Sequence, residues 1–265
     1  DRKKYFNEGQ SYMTSHHQFI NESLRELDGE LRRRGNQLTV RVGDAVDVLR
    51  QLKTEVGFAK LYTHEETGNL LTYRRDLCVA EWAKDAGVKW SEIPTNGVVR
   101  RLTDRDGWAK RWNIRMREEV VPPPDALPPS PIDEPLHLFD KHADIAIKST
   151  EKHARQIGGR SRGLAVLNSF LFERAAGYSK GLSSPVTAKQ SCSRLSPYLT
   201  FGCLSMREVY QAAMDRKAEN KSNPLDYRAG FARSLNSFTG RLRWHCHFIQ
   251  KLEQQPEIEN EKILS

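Results

Sequence analysis

The stretch that decides the fold is residues 190–210, QSCSRLSPYLTFGCLSMREVY. It offers the hydroxyls of Ser193 and Ser196, the charge of Arg194, and Pro197, which suits the first turn of a helix. Two interpretations of these groups are open. Serine side chains commonly cap helices, and the same donors beside an arginine also form a site for an anionic group. The segment therefore predicts a helix start that either caps itself or binds an anion.

Helical patterns lie on both sides of this segment. Upstream, residues 161–178 carry apolar side chains at helical spacing. Downstream, Ser205 and Glu208 have the spacing of a capping box before a helix over residues 206–218, and residues 227–252 form a long, aromatic helical pattern. We therefore predict that residues 151–265 form an all-α domain.

The first half of the chain alternates between strand and helix patterns. The predicted strands cover residues 37–43, 57–63 and 88–93. The predicted helices cover residues 17–34, 45–56 and 71–86, with Gly35 ending the first, Asp44 capping the second and Gly87 ending the third. This order predicts a parallel sheet with right-handed crossovers. We expect a partial doubly wound α/β domain over residues 1–120.

A proline-rich linker separates the two predicted domains. Residues 120–135, VVPPPDALPPSPIDEP, hold most of the prolines in the chain. Proline fixes φ and removes a backbone donor, so neither a helix nor a central strand is expected there. The predicted fold is α/β followed by all-α, with a linker over residues 121–150.

The composition bounds the kind of protein. The 265-residue chain has a net charge of +8, which favours a polyanionic partner but also fits a solvated basic surface. No apolar run reaches the roughly 20 residues that a membrane helix needs. The four cysteines form no CxxC pair, so we expect reduced thiols in a cytoplasmic protein.

The sequence contains no motif that is typical of metal binding or of hydrolytic catalysis. His64, Glu65 and Glu66 lack the HExxH spacing of a zinc site, and we expect them to cap the helix over residues 71–86. We expect Trp108 and Trp112 to pack the edge of the first domain. No metal site is predicted.

Residues 192–205 resemble the flavin-domain signature of the cryptochrome/photolyase family. That signature has the form T-S-R-L-S-P-x-L-x-x-G-x-L-S, and the spacing matches throughout, with Cys192 where threonine is usual. The resemblance extends over nearly the whole chain. It implies an α/β domain followed by a helical flavin-binding domain, and a sequence that lacks the first strands and most of the later helical part.

The resemblance also implies the cofactor and its contacts. FAD is the implied cofactor, with an antenna chromophore of the folate or deazaflavin type in the α/β domain. The implied FAD-binding residues are Tyr178, Cys192, Ser193, Arg194, Leu195, Ser196 and Phe238.

Residues 237–253 resemble the long helix of the same family, whose common form is E-L-x-W-R-x-F. Trp244 takes the position that faces the DNA lesion in the family, while Arg241 and His245 replace the common glutamate and arginine. Taken alone, these residues fit a solvated basic face as well as a stacking surface for bases. The implied DNA-binding residues are Arg241, Trp244, His245 and Phe248.

The resemblance implies a blue-light-driven, FAD-dependent photolyase, a lyase that repairs pyrimidine dimers in DNA by electron transfer. Two alternatives are open. One is a cryptochrome-type flavin photoreceptor without repair activity, which Arg241 and His245 favour; the other is a non-functional DNA-binding fragment. We expect a monomer that binds DNA containing pyrimidine dimers.

Overall fold

The computed structural model describes residues 14–138, 155–222 and 230–259. In chain order these residues form α1 (Thr14–Arg33), α2 (Ala45–Val56), β1 (Lys60–His64), α3 (Leu70–Asp85), β2 (Lys89–Ile93), α4 (Trp108–Arg117), α5 (Arg160–Phe172), a 3₁₀ turn (Arg174–Gly177), α6 (Tyr178–Gly181), α7 (Pro185–Ser191), α8 (Ser196–Thr200), α9 (Met206–Ser222), α10 (Phe231–Gln254) and a second 3₁₀ turn (Pro256–Glu259). The α/β-then-helical class predicted from the sequence is confirmed.

The two strands pair in parallel, with α3 as the crossover between them. Lys60 lies opposite Lys89, and His64 lies opposite Ile93. The indole Nε1 of Trp90 donates to Thr63 Oγ1 at 2.9 Å, which ties the strands through side chains as well. The predicted parallel pairing of the second and third strand patterns is therefore confirmed.

The strand predicted over residues 37–43 is wrong, because this segment has no strand partner among the described residues. It instead lies between α1 and the proline-rich segment. The Leu38 amide donates to Asp28 Oδ1 at 2.9 Å, and Gln37 Nε2 donates to the Ile132 carbonyl at 2.6 Å. The Asp28 side chain therefore satisfies the Leu38 amide, a backbone group that a sheet would have paired, and the Gln37 side chain fastens the segment to the proline-rich stretch.

Several helix ends follow the predicted local chemistry. Asp44 accepts the amide hydrogens of Val46 and Asp47, and Gly35 and Gly87 take positive φ values of 90° and 63° at the ends of α1 and α3. Ser205 and Glu208 form the reciprocal capping box, with bonds of 3.1 and 3.0 Å.

Two other local predictions are wrong. The helix predicted over residues 161–178 breaks after Phe172 into a 3₁₀ turn and α6. The cap of α3 is Asn69, whose side chain accepts the Thr72 amide, and not the 64–66 triplet. Glu66 accepts the amides of Thr67 and Gly68 in the loop before that helix.

The proline-rich segment forms neither helix nor strand over residues 118–138. It is fastened to the end of α1, since Leu127 N donates to the Arg34 carbonyl at 2.7 Å and Asn36 Nδ2 donates to the Pro128 carbonyl at 2.6 Å. Residues 139–150 of the predicted linker lie outside the described residues, as do residues 1–13, 151–154, 223–229 and 260–265 of the two predicted domains.

One apolar core joins α4 to the helical half. Trp108 and Trp112 are both buried, as predicted, and the Trp112 ring meets Tyr210 edge-on at 5.2 Å. Gln250 on α10 exchanges two hydrogen bonds with the backbone of Val99. None of the helices in the described part of the chain is long and apolar enough to span a membrane.

Candidate functional site

The 192–196 loop connects α7 to α8, and the guanidinium of Arg174 organises it. Arg174 donates to the backbone carbonyls of Cys192 and Ser193, the latter at 3.3 Å. The same side chain donates to Val166 O at 2.9 Å and to Ser169 Oγ at 3.2 Å. With its carbonyls turned toward Arg174, the loop is held on the end of α5.

Arg194 adopts a strained backbone conformation within this loop. Its φ is +58°, in the left-handed region that non-glycine residues seldom take. Its carbonyl oxygen accepts a 2.7 Å hydrogen bond from Gln156 Nε2. Such outliers persist only where surrounding contacts hold them, and they concentrate at binding sites.

The side chains of the loop keep their donors available. Within the described residues, the hydroxyls of Ser193 and Ser196 and the guanidinium of Arg194 have no hydrogen-bond partner, and α8 has no side-chain cap. The capping interpretation of these serines is therefore wrong. Two hydroxyls and a free guanidinium are the donor set that a phosphate or diphosphate group requires.

Two like charges meet at this loop. Burial, and next the charge of Arg194, lower the pKa of the Arg174 guanidinium. The neighbouring Arg160 pairs with Glu208 and Arg155 pairs with Glu22, whereas no ion pair to a carboxylate forms at Arg174 or Arg194 in the described part of the chain. An anionic group bound at the loop would relieve this repulsion.

A buried aromatic cluster lies next to the loop. Tyr178 on α6 packs edge-on against Phe170 at 5.5 Å and Phe238 at 5.9 Å, and Phe170 lies 4.7 Å from Phe238. Leu195 is fully buried, so its side chain is part of the core. Only the backbone of Leu195 is available for contacts outside the core. The structure thus brings together Tyr178, Phe238 and the 192–196 loop.

Charges on the loop and on α10 both act on the Tyr178 hydroxyl. Burial and then Cys192 raise its pKa, and Arg241 acts in the opposite direction. All four cysteines are free thiols. The ring contact between Tyr178 and Phe238 joins α6 to the buried side of α10.

The exposed face of α10 carries the four residues predicted to bind DNA. The Arg241 guanidinium lies over the Trp244 ring at 5.0 Å, and Trp244 meets Phe248 edge-on at 6.3 Å. Trp244 is 51% exposed and Phe248 is 60% exposed, and His245 also faces outward. Large aromatic side chains at this exposure, flanked by arginine, form a surface suited to stacking.

Sequence reasoning missed several residues of this region. Gln156 and Arg174 act through backbone carbonyls, and no sequence pattern marks such contacts. The sequence marks Phe170 only as an apolar helix position, because its contact with Tyr178 depends on the break in the helix after Phe172. No group of three metal-binding side chains occurs in residues 14–138, 155–222 and 230–259.

The chain is similar to known proteins along most of its length. A family model described as DNA photolyase matches residues 5–105. Cryptochrome-1 of Anopheles gambiae is 29% identical over 275 residues, which cover 90% of this chain and 48% of that protein. Over most of its length, the chain is therefore similar to proteins of the cryptochrome/photolyase family. It spans about half the length of the curated relatives it matches.

Solved structures of the cryptochrome/photolyase family share the fold. A bacterial class III photolyase from Agrobacterium tumefaciens has a TM-score of 0.73 and 18% identity, over 94% of this chain and 52% of that chain. An archaeal photolyase from Sulfolobus tokodaii, solved with two FAD molecules, has a TM-score of 0.60 and 21% identity, over 94% and 51%. Both branches of the family, photolyases and cryptochromes, are therefore among the relatives of this chain.

Proposed function

We propose that this chain holds FAD on the 192–196 loop and presents it to DNA on α10, as part of a blue-light-driven photolyase that splits pyrimidine dimers. The observation that carries the proposal is the set of unpartnered donors on Ser193, Arg194 and Ser196, beside the Arg174 charge. The archaeal relative, whose structure contains two FAD molecules, supports this choice of anion.

The residues present fit a flavin dinucleotide. Ser193, Arg194 and Ser196 would hold the diphosphate, while Tyr178 and Phe238 would offer aromatic contact next to it. Bound FAD would supply the light-driven electron transfer, which no side chain of this loop can perform. The chain itself fixes the loop through Arg174 and Gln156 and keeps the site apolar through Phe170 and Leu195. An antenna chromophore in the α/β half stays a prediction.

The DNA contacts are proposed for α10. Trp244 and Phe248 would stack on bases that leave the duplex, and Arg241 and His245 would face the phosphates or the base edges. The net charge of +8 favours association with a polyanion. Tyr178 would connect the two sites, since its ring packs against Phe238 on the helix that carries Arg241.

A cryptochrome-type photoreceptor is the second candidate, and Arg241 favours it. The repair enzymes that this chain resembles commonly have a glutamate at the position of Arg241. Glutamate accepts hydrogen bonds, whereas arginine only donates them. Here the Arg241 guanidinium lies over the Trp244 ring. That contact covers a ring face that a dimer would otherwise use.

One experiment in two stages tests the proposal. The chain is first titrated with FAD and flavin fluorescence is followed, with the triple variant Ser193→Ala, Arg194→Ala, Ser196→Ala alongside. We expect the parent to bind FAD and the triple variant to bind it at least about tenfold more weakly, because charge-assisted hydrogen bonds are lost. Equal affinities would refute the loop as the flavin site.

The second stage separates repair from signalling. The FAD-loaded protein is chemically reduced, mixed with an oligonucleotide that contains a thymine dimer, and exposed to blue light. Loss of dimer in light and not in darkness supports the photolyase. Bound flavin without dimer loss supports the cryptochrome-type receptor. A chain that binds DNA but no FAD supports the non-functional fragment.

A further inference from the structure

A cleft of about 530 Å³ opens between α4 and α10, beside the DNA face proposed above. Six residues line it: Trp108, Ala109, Arg243, Trp244, His247 and Phe248. Its volume lies within the range of clefts that take small organic ligands. Four of the six, Trp108, Ala109, Arg243 and His247, are not among the binding residues predicted from the sequence.

The walls of the cleft are fixed by hydrogen bonds. Trp108 is buried and donates its indole Nε1 to the Gly97 carbonyl at 3.0 Å. On the opposite side, Gln254 Nε2 donates to Leu102 O at 3.1 Å, and Arg105 donates to the His247 carbonyl at 3.4 Å. The cleft therefore exists before any ligand binds, which lowers the entropic cost of binding.

Aromatic rings surround the opening. His247 meets Trp108 edge-on at 5.9 Å and Phe248 at 5.7 Å, and Phe248 meets Trp244 at 6.3 Å. Trp108 belongs to the core, but Trp244 and Phe248 are more than half exposed. A flat ring entering the cleft would contact aromatic surface contributed by two helices.

The charge of the cleft is positive. No carboxylate is among the six lining residues. Arg243 forms no ion pair within the part of the chain that the structure describes, in contrast to Arg100 with Glu92 and Arg216 with Glu219. A free guanidinium next to aromatic rings complements a ligand that joins a flat ring to an anion, which is the chemistry of a nucleotide.

We infer that the cleft between α4 and α10 binds one unpaired nucleotide of a single strand, with its base among the rings and its phosphate on Arg243. The inference rests on the proposed DNA-binding function and adds a second nucleotide position beside Trp244. A duplex would not satisfy the cleft, since a paired base keeps both faces stacked within the helix. Ala109 leaves the space that the base would fill.

The test narrows the cleft at its smallest lining residue, Ala109, and leaves the aromatic lining residues unchanged. Ala109 is exposed at the start of α4, so Ala109→Phe narrows the opening, and Ile114→Phe places the same ring at another exposed position on that helix. Tryptophan fluorescence quenching is measured with thymidine monophosphate, with oligothymidylates of two to six nucleotides and with a short duplex. Arg243→Gln is measured in parallel at several salt concentrations.

We expect the parent to bind oligothymidylates more tightly than the mononucleotide, and Ala109→Phe to weaken single-strand binding about tenfold, the effect of one stacked base. Ile114→Phe should match the parent, and duplex affinity should change less than twofold in both. Arg243→Gln should make the negative slope of log affinity against log salt shallower by about 0.7.

Three results would overturn the inference. These are a parent that no oligothymidylate quenches, an Ala109→Phe variant that binds single strands like the parent, and a mononucleotide that binds as tightly as the oligomers, which would indicate a free-nucleotide site. FAD titration of the same proteins keeps the two proposals apart. If the parent binds FAD and any of these three results is found, only the proposal for the cleft is refuted. If the parent does not bind FAD, the proposed flavin function is refuted, whatever the oligothymidylate measurements give.

Discussion

Gln156 Nε2 donates a 2.7 Å hydrogen bond to the carbonyl oxygen of Arg194, across 38 residues of sequence. Arg194 is one of two non-glycine residues with positive φ in the described chain. The bond therefore ends on a residue whose backbone conformation is unfavourable by itself. Gln156 lies just before α5, so the start of that helix and the proposed diphosphate loop are mechanically connected.

Replacing Gln156 by leucine should weaken FAD binding by about fivefold, because one hydrogen bond worth about 1 kcal/mol no longer holds the loop. Gln211→Leu is the matched control, since Gln211 Nε2 also donates to backbone carbonyls, those of Met116 and Glu118. FAD titration and chemical unfolding are measured on both. An equal loss of FAD affinity in both variants would show that Gln156 acts through general stability.

Arg194→Asn separates the charge of Arg194 from its conformation. Asparagine tolerates the left-handed region, so the free energy of unfolding should stay within about 0.5 kcal/mol of the parent, while FAD affinity should fall at least about tenfold as a charged donor is lost. Arg101, with φ of +56°, provides the control. Arg101→Asn should leave FAD affinity unchanged, and a similar loss there would argue against a specific role for Arg194.

The predictable part of the fold was the part governed by neighbours in sequence. Asp44, Gly35 and the Ser205–Glu208 pair act within four residues of the groups they satisfy, and the sequence predicted each of them. The segment 37–43 misled because its alternating pattern carries no information about a partner. In the structure the Leu38 amide, which a sheet would have paired, donates to the Asp28 carboxylate, and the Gln37 side chain ties the segment to Ile132.

The candidate site divides in the same way. The resemblance placed Tyr178, Phe238 and the 192–196 loop in one site; the structure packs Tyr178 against Phe238 and buries Leu195 of the loop in the same core. It could not reveal Arg174 as the group beneath the loop, because the bonds to Cys192 O and Ser193 O depend on backbone orientation. Nor could it reveal the cleft beside Trp244, since Trp108 reaches α10 only through the packing of the two halves.

Gly158 should be intolerant of any side chain. A Cβ built there would lie 2.0 Å from the Phe19 carbonyl oxygen and 2.6 Å from Ser23 Oγ, both on α1. Gly158→Ala should destabilise the protein by roughly 1–3 kcal/mol, the usual cost of overpacking. Gly29→Ala, inside α1 with open space around it, should stabilise by about 0.5–1 kcal/mol. Urea unfolding checks both, and equal effects of the same sign would contradict the contact.

The Glu22–Arg155 pair should make the free energy of unfolding depend on pH in the acidic range. Burial raises the pKa of Glu22, but the hydrogen bonds from Arg155 and from the Gly158 amide outweigh it and hold the pKa below its ordinary value of 4.5. Stability from this group is therefore complete above pH 4.5 and is lost as pH falls through the lower folded pKa. The deficit of Glu22→Gln in unfolding free energy should be largest near pH 6 and shrink below pH 4; a constant deficit would contradict the pKa shift.

Arg241 should contribute to DNA affinity through phosphate charge. Its guanidinium lies over Trp244, and no carboxylate pairs with it in the ranges the structure describes. For single-stranded DNA, log affinity falls as log salt rises. Arg241→Gln should make this negative slope shallower by about 0.7, since one counterion fewer is released. Arg50→Gln on α2, also exposed, carries the same loss of charge and should keep the parent slope. Arg241→Gln also uncovers the Trp244 ring. The DNA affinity of this variant at high salt, where phosphate contacts contribute least, should therefore fall little or even rise. An unchanged slope in Arg241→Gln, or an equal change in Arg50→Gln, would show that this arginine serves only to cover the tryptophan.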